Sequence, residues 1–408
     1  MKIKNLFLAA LAIVGLATMA QAQTIVITGS SAYRGSVDSA LIHLGFTATA
    51  WITGKTSANG NAALYTGSGT YSGYIVKTSW SGSAAGIQTV AATSPTKTVG
   101  VFADGTTGAN ADPRSGSTQV RPDIAMADNT QSSTRFNGTF LSVTYASLAQ
   151  ATITPTVGSP AQGPVGVVGF VWALSKSASL APYSFTNDTI NMTSQVAQNI
   201  WSLGYGPLSM LTGNSADETV SLIADGRDPD SGTRITALAE SGIGINNVIQ
   251  QYAPVASGGA ITSLGLYPAT TINGVPVPEG ESGESSGGTL AGLMGNTGPT
   301  AGISPSGYAG FLVAYLSKGD ADTITGGVRL LYNGAAYSTA NIQEGKYTFW
   351  GYEQLFYRPG ITGETGGTVK KAFADALASK IYNVDASIAI TSMKVARSYD
   401  GGVVTPNF

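Results

Sequence analysis

The segment DGRDPDSGTR, residues 225–234, separates an apolar run from an amphipathic one. The preceding residues 219–224 (TVSLIA) predict a strand, and the following residues 235–240 (ITALAE) predict a helix. The segment is therefore predicted to be a loop that leads into a helix N-terminus. At such an end the first backbone N–H groups lack intrahelical partners and the macrodipole is positive, so an anion is favoured there.

These residues alone leave two interpretations of the segment open. In the first, residues 231–233 direct hydroxyls and amides at an anion, and Arg227 adds a permanently charged, two-pronged contact. In the second, Asp230 or Ser231 only caps the helix, and Arg227 pairs with Asp228 at the surface.

The N-terminal residues 1–22 have the pattern of a secretory signal peptide, because Lys2 and Lys4 precede an apolar run that ends in Ala-Gln-Ala at 20–22. The chain has no cysteine, so neither a lipid-bearing N-terminal cysteine nor a disulfide is available. The expected location is therefore periplasmic or secreted. The length that remains suits two or three domains with a buried core.

Composition argues against several classes of protein. A formal net charge of −2 without a Lys/Arg cluster argues against a nucleic-acid partner. After residue 22 no apolar run approaches the roughly 20 residues of a membrane-spanning helix. With 53 glycines and only 11% charged residues, the surface suits a secreted binding protein and equally a surface-layer or adhesive protein.

Strand, small-residue loop and helix alternate along much of the chain. Strands are predicted at 24–27, 74–78, 97–103, 123–128, 165–174, 310–316, 328–332 and 347–357, and helices at 32–44, 87–92, 189–203 and 369–382. The run 165–174 is almost entirely apolar, as in a strand that is covered on both faces. Residues 104–121 predict a loop, and residues 257–306, rich in Gly, Ser, Thr and Pro, predict an insertion or lid with little regular structure.

This alternation predicts an α/β fold with parallel sheets flanked by helices. In such folds ligands bind beyond the carboxyl ends of the strands. The loops 28–31, 79–86 and 225–234 fall there, and so does Asp128. Without further information, Asp128 could equally cap a helix that follows its strand.

The order of four motifs resembles the PstS-type phosphate-binding proteins of ABC transporters. They are Gly-Ser-Ser at 29–31, Ser-Ala-Ala-Gly-Ile at 83–87, the strand 123–128, and Arg-x-x-x-Ser-Gly-Thr at 227–233. The run NIQEGKYTFW at 341–350 is similar to that family's segment before its last crossover strand. The resemblance spans most of the chain after residue 22.

The resemblance implies a two-lobe type II periplasmic-binding-protein-like fold with a ligand cleft between the lobes. Lobe I would comprise 23–164 and 347–408, and lobe II would comprise 165–346 with the Gly-rich insertion at about 257–306. The two crossover strands would be 165–174 and 347–357.

The resemblance also implies the ligand-binding residues. Ser31 and Ser83 would each supply a hydroxyl and an amide, and Asp128 would accept a hydrogen bond from the protonated oxygen of phosphate. A carboxylate there would repel fully deprotonated sulfate. The implied set is Ser30, Ser31, Ser83, Asp128, Arg227, Ser231, Gly232 and Thr233.

The chain departs from the family's pattern at three places. Pro229 stands where the family has an aspartate beside the arginine, and Asp228 or Asp230 could replace it. Tyr33 and Arg34 follow the first loop in place of small or apolar residues and proline. The segments 104–121 and 257–306 have no counterpart.

Other chemistries find little support. Gly-Glu-Ser-Ser-Gly at 283–287 matches a hydrolase nucleophile pattern, but the sole histidine, His43, lies upstream of it and is expected at the surface or in packing. A zinc site lacks ligands, no phosphate-loop motif occurs, and the acidic spacing matches no EF-hand. We therefore expect no enzyme activity, no cofactor and no metal.

The sequence-based hypothesis is an extracytoplasmic solute-binding protein, a monomer, that captures inorganic phosphate or a similar oxyanion and delivers it to an ABC transporter permease. The alternative is a secreted or surface-associated structural protein that retains the binding-protein fold without transport. The low charge and the high glycine content motivate the alternative.

Overall fold

The computed structural model describes residues 23–94, 97–176 and 183–407. The predicted signal peptide at 1–22 lies outside the described residues.

Within these residues, one mixed sheet of thirteen strands runs through the structure. Its strands are β1 (Gln23–Gly29), β2 (Phe46–Ile52), β3 (Ala62–Gly67), β4 (Tyr74–Trp80), β5 (Gly108–Asn110), β6 (Ile124–Ala127), β7 (Ala149–Gln150), β8 (Gly166–Leu174), β9 (Tyr205–Pro207), β10 (Ser221–Ala224), β11 (Gly310–Ser317), β12 (Val328–Arg329) and β13 (Trp350–Tyr357).

The strand order across the sheet is β9-β10-β11-β8-β13-β6-β1-β4-β3-β2-β5, with β7 paired to β13 and β12 paired to β8. Parallel pairs occur within each half of this order, since β1 pairs with β4 and β6, and β10 pairs with β11. The long strands β8 and β13 lie side by side at the centre and run antiparallel to each other. They carry the chain between the two halves of the sheet.

Helices cover the sheet. They are α1 (Arg34–His43), α2 (Ser83–Ala91), α3 (Ser194–Leu203), α4 (Ser209–Thr212), α5 (Gly232–Glu240), α6 (Gly287–Met294), α7 (Lys318–Ala321), α8 (Thr339–Gln343) and α9 (Gly367–Lys380). Short two-stranded ladders complete the fold: Val99–Gly100 with Gln119–Val120, Gly138–Phe140 with Val143–Tyr145, Thr152–Ile153 with Ala161–Gln162, Asn191–Met192 with Leu331–Tyr332, Tyr252–Ser257 with Ala260–Leu266, Thr270–Ile272 with Val275–Val277, and Val395–Ala396 with Thr405–Pro406.

Each half of the sheet has its own apolar core. In one half α1 and α9 pack on β1, with Val37, Leu41 and Phe373 buried there. In the other half Trp172 of β8 lies among aromatic rings, stacked on Phe349 with ring centroids 5.3 Å apart. All nine residues of β8 are buried. This confirms the sequence-based expectation of a strand covered on both faces, and the α/β architecture is confirmed with it.

The prediction that residues 257–306 have little regular structure is wrong, because the segment contains most of one β-hairpin, all of a second, and helix α6. The second hairpin turns at Asn273 and Gly274, whose φ angles are 48° and 81°. An Asn-Gly pair with positive φ at both positions forms the tight turn that suits the twist of paired strands. The Gly-rich composition therefore marks turns between short strands, not the absence of structure.

The observed ends of several other strands and helices differ from the predicted ends. The predicted strand 97–103 is reduced to Val99–Gly100, and the helix predicted over 189–203 begins only at Ser194. There Thr193 accepts a hydrogen bond from the Val196 amide and caps the helix. The predicted strand 219–224 starts at Ser221, after a 3₁₀ turn over Ser215–Thr219.

Candidate functional site

Three loops from one half of the sheet meet where β1, β4 and β6 end. β1 pairs with both of the others, so their carboxyl ends lie together. The loop after β1 carries Ser30, the loop after β4 leads to Ser83 at the start of α2, and Asp128 follows β6 directly. Gly29 has a φ of 118°, and a Cβ there would stand 2.0 Å from the Met126 carbonyl oxygen. Only glycine allows this close approach of the first and third loops.

The Asp128 carboxylate is the centre of this cluster. Its side chain is buried, at 1% exposure. The Ser30 hydroxyl donates to Oδ2 at 3.0 Å, and the Ser83 hydroxyl makes a short hydrogen bond to Oδ1. The Ser83 Oγ also accepts from the Asp128 backbone N–H at 3.2 Å. The two loops therefore fix the orientation of the carboxylate, and Asp128 does not cap a helix.

The other half of the sheet contributes the N-terminus of α5 to the same carboxylate. The Thr233 hydroxyl lies 3.5 Å from Asp128 Oδ2. A Cβ on Gly232 would stand 1.7 Å from Asp128 Oδ1, so only a glycine fits between the helix end and the carboxylate. The first turn of α5 thus packs directly against Asp128. The positive helix end and the negative carboxylate stabilise each other.

Arg227 lies beside this cluster, buried at 2% exposure. Its Nε donates to the Glu284 carbonyl oxygen at 2.9 Å and its Nη2 to the Ser285 carbonyl oxygen at 3.1 Å. Its Nη1 faces the Ser31 hydroxyl at 3.5 Å. The predicted surface pair of Arg227 with Asp228 is therefore wrong, because the loop after β10 folds inward.

Ser231 has the role that the second interpretation gave it. Its Oγ accepts a hydrogen bond from the Arg234 amide at 3.2 Å and caps α5. The structure thus gathers Ser30, Ser83, Gly232 and Thr233 around Asp128. Ser31 and Arg227 lie at the edge of this cluster, and Ser231 supports the helix end.

Two acids follow Arg227 in the same loop. Asp228 and Asp230 are both buried, at 6% and 5% exposure. Burial raises the pKa of each, their mutual repulsion adds to the pKa of Asp230, and the Arg227 charge opposes the rise in both. Asp228 accepts from the Asp230 amide at 3.1 Å, and Asp230 accepts from the Asn273 side chain. The hairpin at 270–277 therefore touches the loop beside the site.

The charge state of Asp128 reflects opposing effects. Burial raises its pKa above the ordinary value, while hydrogen bonds from Ser83 and Ser30 and the charge of Arg227 lower it again. A carboxylate has about four acceptor positions on its two oxygens. The three hydroxyl contacts occupy one position on Oδ1 and two on Oδ2, so one position on Oδ1 remains for a further donor.

Several residues of the site could not be found from the motifs. The Thr236 hydroxyl donates to the Asp128 carbonyl oxygen at 3.4 Å, one turn into α5. A Cβ on Gly232 would also stand 2.7 Å from Asn129 Oδ1. Arg34 of α1 forms an ion pair with Asp320 of α7 at 2.8 Å, and both side chains are 8% exposed. The helical spacing of α5 could have suggested Thr236, but the ion pair joins residues far apart in sequence.

Within the described residues, no cluster of three histidine, aspartate or glutamate side chains has a geometry that would hold a metal ion. None of the helices in those ranges is both long and apolar enough to cross a membrane. His43 is exposed and lies 2.8 Å from Asp385 Oδ1, away from Asp128.

Comparisons with known proteins give structural neighbours only. No protein-family model matches the chain, and no curated protein matches it in sequence. A Clostridium perfringens protein with bound phosphate, described as a phosphate ABC transporter substrate-binding protein, is 11% identical with a TM-score of 0.40, covering 88% of this chain and 96% of its own.

Two further structures are of the same type. An ABC-type phosphate transport receptor from Vibrio cholerae is 14% identical with a TM-score of 0.40, covering 87% of this chain and 93% of its own. PstS from Borrelia burgdorferi is 12% identical with a TM-score of 0.32, covering 88% of this chain and 97% of its own. The case for function therefore rests on the side chains of this chain.

Proposed function

We propose that this chain is an extracytoplasmic solute-binding protein that captures inorganic phosphate, or a similar protonated oxyanion, for an ABC transporter permease. One observation carries the proposal: hydroxyls from both halves of the sheet converge on the buried Asp128 carboxylate, beside the buried Arg227 guanidinium. The two halves would act as two lobes, 23–164 with 347–408 and 165–346. The signal peptide would be residues 1–22.

Hydrogen phosphate fits the chemistry of this cluster. Its oxygens accept hydrogen bonds from hydroxyls, amides and guanidinium, and its single proton needs an acceptor. Ser31 and Arg227, 3.5 Å apart, provide donors at the edge of the cluster. The remaining position on Asp128 Oδ1 would take the proton. The Arg227 charge would be worth more in this buried setting than in water.

The same carboxylate would exclude sulfate. Sulfate carries no proton near neutral pH, so its oxygens would face the Asp128 carboxylate without a hydrogen bond between them. Repulsion of the wrong anion sets specificity as effectively as attraction of the right one.

Binding would require the halves to move apart and close again. The Gly232 backbone lies against Asp128 so closely that an oxyanion enters only when α5 is withdrawn from the loops of Ser30 and Ser83. The central strands β8 and β13 would serve as the hinge. Closure would exclude water and strengthen each charged hydrogen bond.

The experiment that tests the proposal is calorimetric titration of the chain from residue 23, freed of phosphate by unfolding and refolding, with inorganic phosphate. We expect saturable binding at one site. Arg227→Met should weaken it by about 2–5 kcal/mol, the range for truncating one partner of a buried charged contact. The matched control is Arg135→Met, which removes an exposed arginine and should leave the affinity unchanged. Equal affinities for the two variants would contradict the site assignment.

One observation favours the alternative, a secreted structural protein that retains this fold. The Asp128 carboxylate is already bound by Ser30, Ser83 and Thr233, so protein groups alone hold the two halves together. In that case Asp128 would be a fixed counter-charge for the N-terminus of α5. The titration separates the two functions, because a structural role predicts no phosphate binding by the parent chain.

A further inference from the structure

A cavity of about 390 Å³ lies between the two halves of the sheet, next to the oxyanion site. Its lining comes from α1, from the central strand β8, and from α7 with the segment around Tyr337. Its volume falls in the range of about 300–1,000 Å³ that is usual for small-molecule sites. An inorganic phosphate buried at Asp128 would leave this space unused.

The cavity borders the oxyanion site at one residue. Ser31 lines the cavity, and its hydroxyl lies 3.5 Å from Nη1 of Arg227. Ser31 also follows Ser30, which donates to the Asp128 carboxylate. A group attached to one oxygen of a phosphate held at Ser31 and Arg227 would therefore enter the cavity.

The lining is polar, and its charges are already paired. Arg34 is neutralised by Asp320 at 2.8 Å, and Lys318 forms an ion pair with Asp322. Lys318 also lies over the ring of Tyr337, 5.7 Å from its centroid. A second charged group on the ligand would have to break one of these pairs. An uncharged substituent would not.

Hydroxyl and amide groups make up most of the remaining polar lining, supplied by Ser36, Asn59, Thr323, Thr339 and Ser387. Such groups both donate and accept hydrogen bonds. They match the hydroxyls of a sugar or polyol, which also donate and accept. Within the lining, Ser36 lies 3.1 Å from Ser387, which donates to Glu353, and Thr323 donates to the Asp320 carbonyl oxygen. Their hydroxyl oxygens can still accept hydrogen bonds, which a polyol can donate and an alkyl or aromatic group cannot.

From this lining we propose that the protein binds phosphomonoesters of neutral polyols or sugars as monoanions, with the phosphoryl group at the oxyanion site, its remaining proton donated to Asp128 Oδ1, and the substituent in the cavity next to Ser31. This inference rests on the proposed function, because the phosphoryl group uses the same residues. It extends that function by naming a larger class of substrate.

Two glycines allow the cavity to be filled without disturbing the backbone. Gly35 of α1 and Gly319 of α7 both line the cavity, and neither has an atom within 4 Å of the position that a Cβ would take. Gly35→Tyr and Gly319→Tyr would place a ring in this region. Gly292 of α6 is also exposed and equally open but does not line the cavity, so Gly292→Tyr is the matched control.

The experiment measures binding of inorganic phosphate, glucose 6-phosphate and glucose to the parent chain and to the three variants by calorimetry. It is done at about pH 5.5, because a phosphomonoester has a second pKa of about 6 and is then mostly a monoanion that keeps one proton. The parent should bind both phosphorylated ligands and not glucose. Gly35→Tyr and Gly319→Tyr should lose at least tenfold in affinity for glucose 6-phosphate while keeping that for phosphate. Gly292→Tyr should behave like the parent.

The outcomes separate this inference from the proposed function. If the parent binds phosphate but not glucose 6-phosphate, the inference is overturned and the proposed function stands. If the two cavity variants bind glucose 6-phosphate as tightly as the parent, the cavity does not hold the substituent and the inference is again overturned. If the parent binds neither phosphorylated ligand, both fail.

Discussion

At the scale of single residues, the specificity of the proposed site depends on the charge of Asp128. Asp128→Asn keeps the shape of the side chain but replaces the repelling oxygen with an amide that can donate. An unpaired charge contact costs roughly 1.4 kcal/mol or more, which corresponds to about a factor of ten in affinity. The ratio of the sulfate to the phosphate dissociation constant should therefore fall at least tenfold. Calorimetry with both anions measures the ratio. Asp112→Asn, a change in a surface acid, is the control, and a parent-like ratio in Asp128→Asn would refute the role of Asp128.

Glu353, on the central strand β13, is a second buried carboxyl near the site. The Ser387 hydroxyl donates to its Oε1 at 2.8 Å, and its Oε2 lies over Gly166, where a Cβ would stand only 2.3 Å away. Burial, together with the charge of Asp128, raises the pKa of Glu353 to about 8, against the lowering effect of the hydrogen bonds from Ser387. Glu353 is therefore protonated in the fold at neutral pH.

This pKa predicts how stability changes with pH. The folded pKa lies above the ordinary 4.5, so the contribution of Glu353 is complete below that value and is lost as pH rises toward about 8. Glu353→Gln mimics the protonated acid and should escape this loss. Relative to Glu353→Gln, the parent should lose on the order of a few kcal/mol of unfolding free energy between pH 5 and pH 9.

Urea unfolding at the two pH values measures this difference. Glu218→Gln, which changes an exposed glutamate, should follow the parent at both. A parallel pH profile for the parent and Glu353→Gln would show that Glu353 titrates normally.

The sequence predicted part of the site at this scale. The family resemblance implied Ser30, Ser83, Asp128 and Thr233, and the structure brings their side chains together. The first three follow parallel strands whose carboxyl ends share one edge, whereas Thr233 reaches them from the other half of the sheet. Glu353 could not be identified, since its burial depends on Gly166 and Ser387, which reach it only in the folded chain. The Arg34–Asp320 ion pair was unpredictable for the same reason.

At the scale of elements, the fit of α5 against Asp128 is the contact that joins the halves at the site. Gly232→Ala would place a methyl group 1.7 Å from Asp128 Oδ1, so α5 must move away. We expect a loss of about 1–3 kcal/mol in stability, typical of overpacking, together with weaker phosphate binding.

Gly292→Ala is the matched control for this change. Gly292 lies in helix α6 with open space around it, and alanine there should stabilise the chain by about 0.5–1 kcal/mol. Urea unfolding of both variants measures the difference. If Gly232→Ala were as stable as the parent, α5 would not be held against Asp128 in solution.

Secondary-structure elements were predicted correctly where burial alone determined the sequence pattern. The strand β8 is apolar at almost every position because it is buried on both faces, and that pattern is visible in the sequence. The segment 257–306 was misread because its short strands carry few apolar residues. The signal available there was the Asn273–Gly274 turn, whose type implies a hairpin.

At the scale of the whole molecule, two cores flank a pair of central strands. Val37 and Leu41 lie in one core and Trp172 in the other. β8 and β13 pair antiparallel between these cores. This arrangement suits a hinge, because each half keeps its own packing while only the central connections bend. The candidate site lies where the halves face each other, so ligand affinity and closure would be coupled.

The most direct test of this account is thermal unfolding of the chain from residue 23, freed of phosphate, in the presence of phosphate or sulfate. A ligand at about 1,000 times its dissociation constant adds roughly 4 kcal/mol, which corresponds to a shift of roughly 5 °C for a chain of this size. Such a shift is expected with phosphate and none with sulfate, and Arg227→Met should show at most about half of the phosphate shift. A parent chain whose melting temperature is unchanged by phosphate would contradict the account.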